Sequence, residues 1–320
     1  MTINFLSYLD PFKYKGGGEF ALRTVIERGR QRGHGIRVFA RRTGKLSKLI
    51  SPSFNLPPAD LYFLADLFNC PEDPCKLDTA LLERVIATER YVHFNNSYVD
   101  VCRRPALPCE GRRTHCPDDC GVERYRRLSR RSIANIFVSP LHERVVSSLL
   151  GGPSIPNALI ARPFVSVDLF RNVHQRRDIP YLYVGVISNY KGYENLKRRF
   201  SGEDILLIGR NATTEQLIGR HIPYVPQKDL PSYYNRAEHL VHLPEWPEPQ
   251  GRCVVEAALC GCKLITNDKV GATTFDFDIS DPKVIGDAPD HLWRELERRC
   301  ATETGGSTRD AGPSAATRAL

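Results

Sequence analysis

The chain has 320 residues, 41% hydrophobic and 26% charged, enough for two domains of about 150 residues each and unlike a disordered chain. Forty-five Lys and Arg against 37 Asp and Glu leave a net charge of +8, which brings phosphates, nucleic acid and anionic lipid within reach as partners. The longest uncharged apolar stretches, Ala134–Val138 and Tyr181–Ile187, fall far short of the roughly 18 residues that cross a bilayer, so a membrane-spanning helix is excluded.

The first ten residues carry neither a basic n-region nor a small-residue cleavage site after an apolar core, and the expected compartment is the cytoplasm. Residues 3–8 read as a short strand entering a loop with Pro11, Gly16, Gly17 and Gly18. A helix follows, with Phe20, Ala21, Val25 and Ile26 at helical spacing. Gly33 and Gly35 stop it before the β-rich run Ile36–Ala40. Leu61–Phe68 fits strand or helix. Thr79–Thr88 reads as a helix with Asp78 as its N-cap, and Tyr91–Phe94 as a buried strand end. Arg124–Arg131 is a basic helix, Ala134–Ser139 a strand and Leu141–Leu150 a further helix.

The second half repeats this grammar. Tyr181–Ile187, Asp204–Ile208, His239–Leu243 and Lys263–Thr266 read as strands. Tyr193–Phe200, Thr213–Gly219 and Cys253–Cys260 read as helices. Alternation of this kind predicts an α/β protein with two doubly wound parallel sheets. The expected division is residues 1–165, 166–300, and a Gly-, Ser-, Thr- and Ala-rich disordered tail over 301–320.

Open parallel sheets bind ligands beyond the carboxyl ends of their strands, so two facing sheets make a cleft with two binding edges. Gly16–Gly18 and Lys191-Gly192 each stand between a strand and a helix, where backbone N–H groups can meet an anion. Either could also be a plain turn. Glu248 and Glu256 lie eight residues apart, the first in a loop after a strand and the second early in a helix. An acidic first turn suits a helix dipole, but that explains Glu256 poorly. Its neighbours Val254, Val255 and Ala257 are apolar, and a carboxylate among them needs hydroxyl or N–H partners.

The glycine loop, the stretch Arg32-Gly33-His34 before a strand, Arg162-Pro163 through Asp168 and Phe170, Val184-Gly185, Lys191-Gly192 and the Glu248/Glu256 pair occur in a fixed order. In that order they resemble the family 4 retaining glycosyltransferases of the GT-B fold, over most of residues 3–275. The resemblance implies two Rossmann-like domains facing a cleft, with a nucleotide-diphosphate sugar donor and a glycan, lipid-linked or small-molecule acceptor. It implies that Glu256 holds the donor ribose, Glu248 sits near the transferred sugar and Lys191 neutralises the leaving diphosphate. Gly17, Gly18, Gly185, Pro249, Gln250, Gly251 and Arg252 would line the donor site. His93 would touch the donor sugar, a role for which Asn95 is an alternative. No cofactor is implied for the step. Ser166 stands where the family has Gly, and Val186 where it has the Arg of a "V-G-R" strand end, leaving Arg198, Arg210 or Lys228 to supply that cation. The helix that returns to the first domain in the family is expected to shrink to Asp290–Arg299.

Six of the ten cysteines fall between Cys70 and Cys120. Cys102, Cys109, Cys116 and Cys120 form a candidate structural site for Zn or an Fe–S cluster, with buried thiols and disulfides as alternatives. Cys253, Cys260 and Cys262 are expected to pack. Residues 103–131 hold nine Arg against four acidic residues, a net +5 of the chain's +8. That suits a phosphorylated or lipid-linked acceptor with peripheral contact at the inner face of a membrane, or ordinary solvated helix faces. Two other function classes remain: a catalytically idle binder of sugar nucleotide or glycan, and a nucleic-acid-binding protein built on the cysteines and arginines. No aromatic-interleaved basic motif supports the last, so nucleic acid is not the expected partner.

Overall fold

The structure, a computed structural model, describes residues 1–14, 16–42, 48–49, 57–65, 84–87, 90–98, 100–101, 121–152 and 154–304. The first sheet comprises β1 (Thr2–Leu9), β2 (Gly35–Arg42), β3 (Lys48–Leu49), β4 (Leu61–Ala65), β5 (Tyr91–Asn95), β6 (Ala134–Phe137) and β7 (Ala158–Ile160), in the order β3-β2-β1-β4-β5-β6-β7. The second comprises β8 (Ile179–Val184), β9 (Ile205–Ile208), β10 (Arg220–Ile222), β11 (Ala237–His242) and β12 (Lys263–Thr266), in the order β10-β9-β8-β11-β12. Every pairing is parallel. The ambiguous segment at 61 is therefore a strand, fully buried, as a central parallel strand with both faces covered must be. The winding reverses direction beside β1 and again beside β8, and loops leaving such points splay apart to form a crevice.

Eight helices are labelled: α1 (Gly17–Gln31), α2 (Val122–Arg131), α3 (Pro140–Leu149), α4 (Tyr193–Phe200), α5 (Leu230–Arg236), α6 (Arg252–Leu259), α7 (Pro282–Gly286) and α8 (Ala288–Thr304). Residues 84–87 are also helical. The alternation along β1 and its neighbours divides the first core in two. Ile3, Phe5, Leu61, Phe63, Val92 and Phe94 pack under α1 and α8. Leu6, Tyr62, Leu64 and Tyr91 pack on the other face with Val85, Ile86 and Leu128 of α2. The second sheet is sandwiched likewise, with Val254, Val255 and Ala258 of α6 on one face and Tyr193, Leu196 and Phe200 of α4 on the other.

Helix α8 returns to the first sheet and is longer than expected. Its Leu292, Trp293, Leu296 and Cys300 join the core formed by α1. Trp293 is fully buried and its indole N–H donates to the Val25 carbonyl at 2.9 Å. Gly29 makes the room, since a Cβ there would overlap the indole ring. Around this contact Arg28 pairs with Asp290, while Glu297 pairs with Arg32 and His34. Residues 301–304, assigned to the tail on composition, continue this helix, and 305–320 lie outside the described residues. The chain thus passes between the two sheets twice, once after β7 and once between α7 and α8. The two passages touch: Arg162 pairs with Asp287 at 3.2 Å, and Gly286 lies against Val167.

The helix expected over Thr213–Gly219 is absent. Asn211 Oδ1 accepts from both the backbone N–H and the hydroxyl of Thr213 at 2.9 Å. The Tyr193 hydroxyl donates to the Gln216 carbonyl and accepts from the Ile218 N–H. These side chains satisfy the backbone groups that a helix would have used. The cysteines Cys70, Cys75, Cys102, Cys109, Cys116 and Cys120 lie outside the described residues. Among those described, no group of three or more His, Cys, Asp or Glu is placed to hold a metal, and no helix is long and apolar enough to cross a membrane.

Candidate active site between the two sheets

The second sheet's reversal point lies between β8 and β11, and the loops leaving these neighbouring strands carry Lys191 and Glu248. The β8 loop ends at Gly192, which caps α4 with φ +90° and lies so close to the Leu243 carbonyl that a Cβ there would overlap it. Only glycine meets both demands. The tight turn sets Lys191 facing the β11 loop, where its ammonium pairs with Glu248 Oε2. The same carboxylate oxygen accepts the Trp246 indole N–H at 3.0 Å, and His242 Nε2 lies 4.0 Å away. The ammonium also sits 4.7 Å from the Trp246 ring centroid, a cation–π contact.

Glu256 occupies the second turn of α6, 5% exposed. The Tyr234 hydroxyl donates to its Oε2 and the Arg252 guanidinium to its Oε1, both at 3.1 Å. Burial pushes its carboxyl above the ordinary range, and Arg252 and Tyr234 pull it back. These two groups are the partners that the apolar neighbours of Glu256 required. Tyr234, from α5, was not signalled by the sequence.

The first half contributes from the carboxyl ends of β1, β5 and β6. Gly16 is the N-cap of α1, and the Gly17 carbonyl accepts from Arg252 Nη1 at 3.1 Å. Gly18 lies against Asn96, so closely that a Cβ would overlap the amide. Ser139 caps α3 by accepting the His142 N–H, and its hydroxyl donates to the Pro249 carbonyl. Gln250 Nε2 donates to the Val138 carbonyl at 3.0 Å, and the Leu141 N–H donates to Thr274 Oγ1 at 3.2 Å. Gly251, with φ +78°, turns the chain into α6. The loop Pro249–Arg252 is therefore held by both halves. Gly185 follows β8, packed beneath Gly209.

Contacts thus link Lys191 to Glu248, Arg252 to Glu256 and Gly17, and Pro249 and Gln250 to the first half, with Gly18 against Asn96 and Gly251 at the turn into α6. His93 is not among them. It lies in the interior of β5, fully buried, with Nε2 3.0 Å from Asp100 and its ring 5.1 Å from Tyr125. These contacts place it among structural partners, and none of them bears on the donor-sugar contact expected of it. Asn95, the alternative, is buried too and accepts from Tyr125. Of the cations considered in place of Val186, Arg198 is bound to Asn195, while Arg210 and Lys228 are exposed. Trp246 also escaped sequence reasoning, although its place two residues before Glu248 was a signal.

Two buried histidines flank the cleft. Burial pushes His142 down to about 3 and His242 down to about 4. An unfolded His titrates near ~6.5, so between that value and about 4 the unfolded chain binds the extra protons. Their contribution to stability is complete above ~6.5 and is lost as pH falls, at about 1.4 kcal/mol per pH unit for each. Urea midpoints should therefore drop between pH 7 and pH 5. The drop should be smaller in His142→Phe, and a midpoint flat across this range in the parent protein would contradict the burial.

No protein-family model and no curated protein sequence matches the chain. Solved structures do. Sucrose-phosphate synthase from Thermosynechococcus elongatus is similar at 15% identity, covering 94% of each chain with a TM-score of 0.64. Anabaena HepE in complex with UDP and glucose is similar at 13% identity, covering 95% of this chain and 98% of its own, with a TM-score of 0.59. An α-glucosyltransferase in complex with UDP-glucose and DNA containing an abasic site is similar at 10% identity, covering 93% of its own chain and 94% of this one, with a TM-score of 0.53. Taken with the two parallel sheets, these likenesses establish that the chain has the GT-B fold.

Proposed function

We propose that this chain is a glycosyltransferase that moves a sugar from a nucleotide-diphosphate sugar to a hydroxyl of a glycan or lipid-linked acceptor, with retention of configuration. The observation that carries the reading is the pairing of Lys191 with Glu248 at the second sheet's reversal point, with the buried Glu256 on the helix that follows the Glu248 loop. The GT-B fold, and the UDP and glucose held by the similar HepE, point the same way.

In this reading Glu256 accepts from the ribose hydroxyls, and the α6 N-terminus with the N–H groups near Arg252 faces the diphosphate. As the bond from the anomeric carbon to the phosphate oxygen breaks, its electron pair leaves with the diphosphate. Lys191 exchanges Glu248 for that growing charge, which stabilises the transition state more than the ground state. The acceptor oxygen bonds to the anomeric carbon from the same face, and its proton passes to the departing phosphate oxygen. Lys191 and the helix N-terminus supply the positive charge that the step needs. Glu248, freed of Lys191, is set to hold hydroxyls of the transferred sugar.

Titration calorimetry with UDP, GDP and ADP, followed by hydrolysis assays on the matching sugar nucleotides, tests the proposal. Glu256→Ala should weaken nucleotide binding, and Glu248→Ala should abolish turnover while binding persists. Val186, at the strand end where the resembled family carries Arg, favours a second reading as an idle binder. Nucleotide binding with neither transfer nor hydrolysis would select it.

A further inference from the structure

Trp246 touches both members of the Lys191–Glu248 pair, and it does so with two different parts of one ring system. The indole N–H donates to Glu248 Oε2 at 3.0 Å. The ring lies under the Lys191 ammonium, 4.7 Å from its centroid. Although Trp246 belongs to the β11 loop of the second half, it is only 7% exposed because it is seated in the first. Its ring meets Tyr98 edge-on at 5.8 Å, within a cluster that includes Phe137, Val146 and Leu150. Tyr190, next to Lys191, closes the other side edge-on at 6.0 Å, and its carbonyl accepts the Glu245 N–H at 3.1 Å.

A packing role alone would be met by any large apolar side chain. It would not need the one polar atom of the indole to be aimed at the carboxylate. Glu248 Oε2 receives both Lys191 and Trp246, so when an anion draws the ammonium away the indole N–H is the donor that remains. His242, also near this oxygen, is held neutral by burial and offers no charge to replace it. Without the indole the carboxylate is free to follow the ammonium, and the two groups lose their separate placements.

We infer that Trp246 is a positioning residue: seated in the first half, it holds Glu248 in place while Lys191 turns to the diphosphate. The inference rests on the glycosyltransferase reading for its kinetic consequence and on the contact itself for its spectroscopic one.

The test compares Trp246→Phe, which keeps a ring and loses the N–H, with Trp246→Ala, which loses both. In Trp246→Phe, kcat for donor turnover should fall about tenfold or more, with the donor KM and the UDP affinity within about twofold of the parent. Trp246→Ala should lose as much turnover and also unfold at a lower temperature. Unchanged kcat in Trp246→Phe, or an equal loss of UDP affinity and turnover, would overturn the inference. The second measurement needs no activity. In ¹⁵N-tryptophan-labelled full-length protein the chain's two tryptophans give two indole N–H signals, and the one missing from Trp246→Phe is that of Trp246. Glu248→Gln should shift this signal and leave that of Trp293 in place. A Trp246 signal indifferent to Glu248→Gln would also overturn the inference. Should the parent turn over no sugar nucleotide, the glycosyltransferase reading fails, and the indole shift alone decides whether Trp246 holds Glu248.

Discussion

Replacing Lys191 with alanine is expected to lower donor-dependent turnover by about 10²–10³-fold, the range lost when one preorganised charge or donor is removed from a site where negative charge develops. The side chain is well placed for such a loss. The whole side chain is 20% exposed, so solvent screens it only partly, and its ammonium already faces a carboxylate. Two positions beside it offer no free charge. Val186 carries no charge, and the Arg252 guanidinium is committed to Glu256 and to the Gly17 carbonyl. Affinity for the free nucleoside diphosphate should fall less than turnover, because the charge that Lys191 meets is larger in the transition state. Lys191→Arg should recover part of the loss, the planar guanidinium being a poor fit to a turn built around one compact ammonium. Single-turnover rates at saturating donor, set beside calorimetric affinities, separate these effects. Full turnover by Lys191→Ala would remove Lys191 from the mechanism.

Trp293→Ala should destabilise the protein by about 3–5 kcal/mol, the usual loss for truncating a buried aromatic side chain. Three effects combine: a cavity opens over Gly29, the Val25 carbonyl loses the indole donor, and α8 loses its central anchor on the first core. The ion pairs around it should matter much less. Arg28 is 41% exposed and Asp290 17%, and partly exposed pairs contribute about 0–1 kcal/mol each. Urea unfolding of Trp293→Ala and Asp290→Ala should therefore differ several-fold in effect. Comparable losses would mean that α8 is held by charge and not by its apolar face.

Most of the fold was legible because central parallel strands announce themselves as apolar runs. Ile205–Ile208 and Ala134–Phe137 are buried at every position. The cleft was legible where glycine and charge coincide at fixed spacing, as at Lys191-Gly192 and between Glu248 and Glu256. What escaped was whatever depends on contacts between elements distant in the chain. Ser139 meets Pro249, Tyr234 meets Glu256 and Arg252 meets Gly17, and no local pattern announces such meetings. The partners of His93 escaped for a related reason. Val92 and Phe94 point to the core under α1, so His93 must point to the opposite face, where Asp100 and Tyr125 receive it. Thr213–Gly219 was read as a helix between two strands, but its Thr, Ile and Gly form helix poorly, and the Asn211 and Tyr193 side chains take its backbone groups.

The two passages of chain between the sheets, fastened to each other by Arg162 with Asp287 and by Val167 with Gly286, restrict how the molecule can open. A movement of one half against the other that leaves these tethers in place must part the contacts of Ser139 with Pro249, Gln250 with Val138 and Arg252 with Gly17, so spreading the lobes unzips that seam.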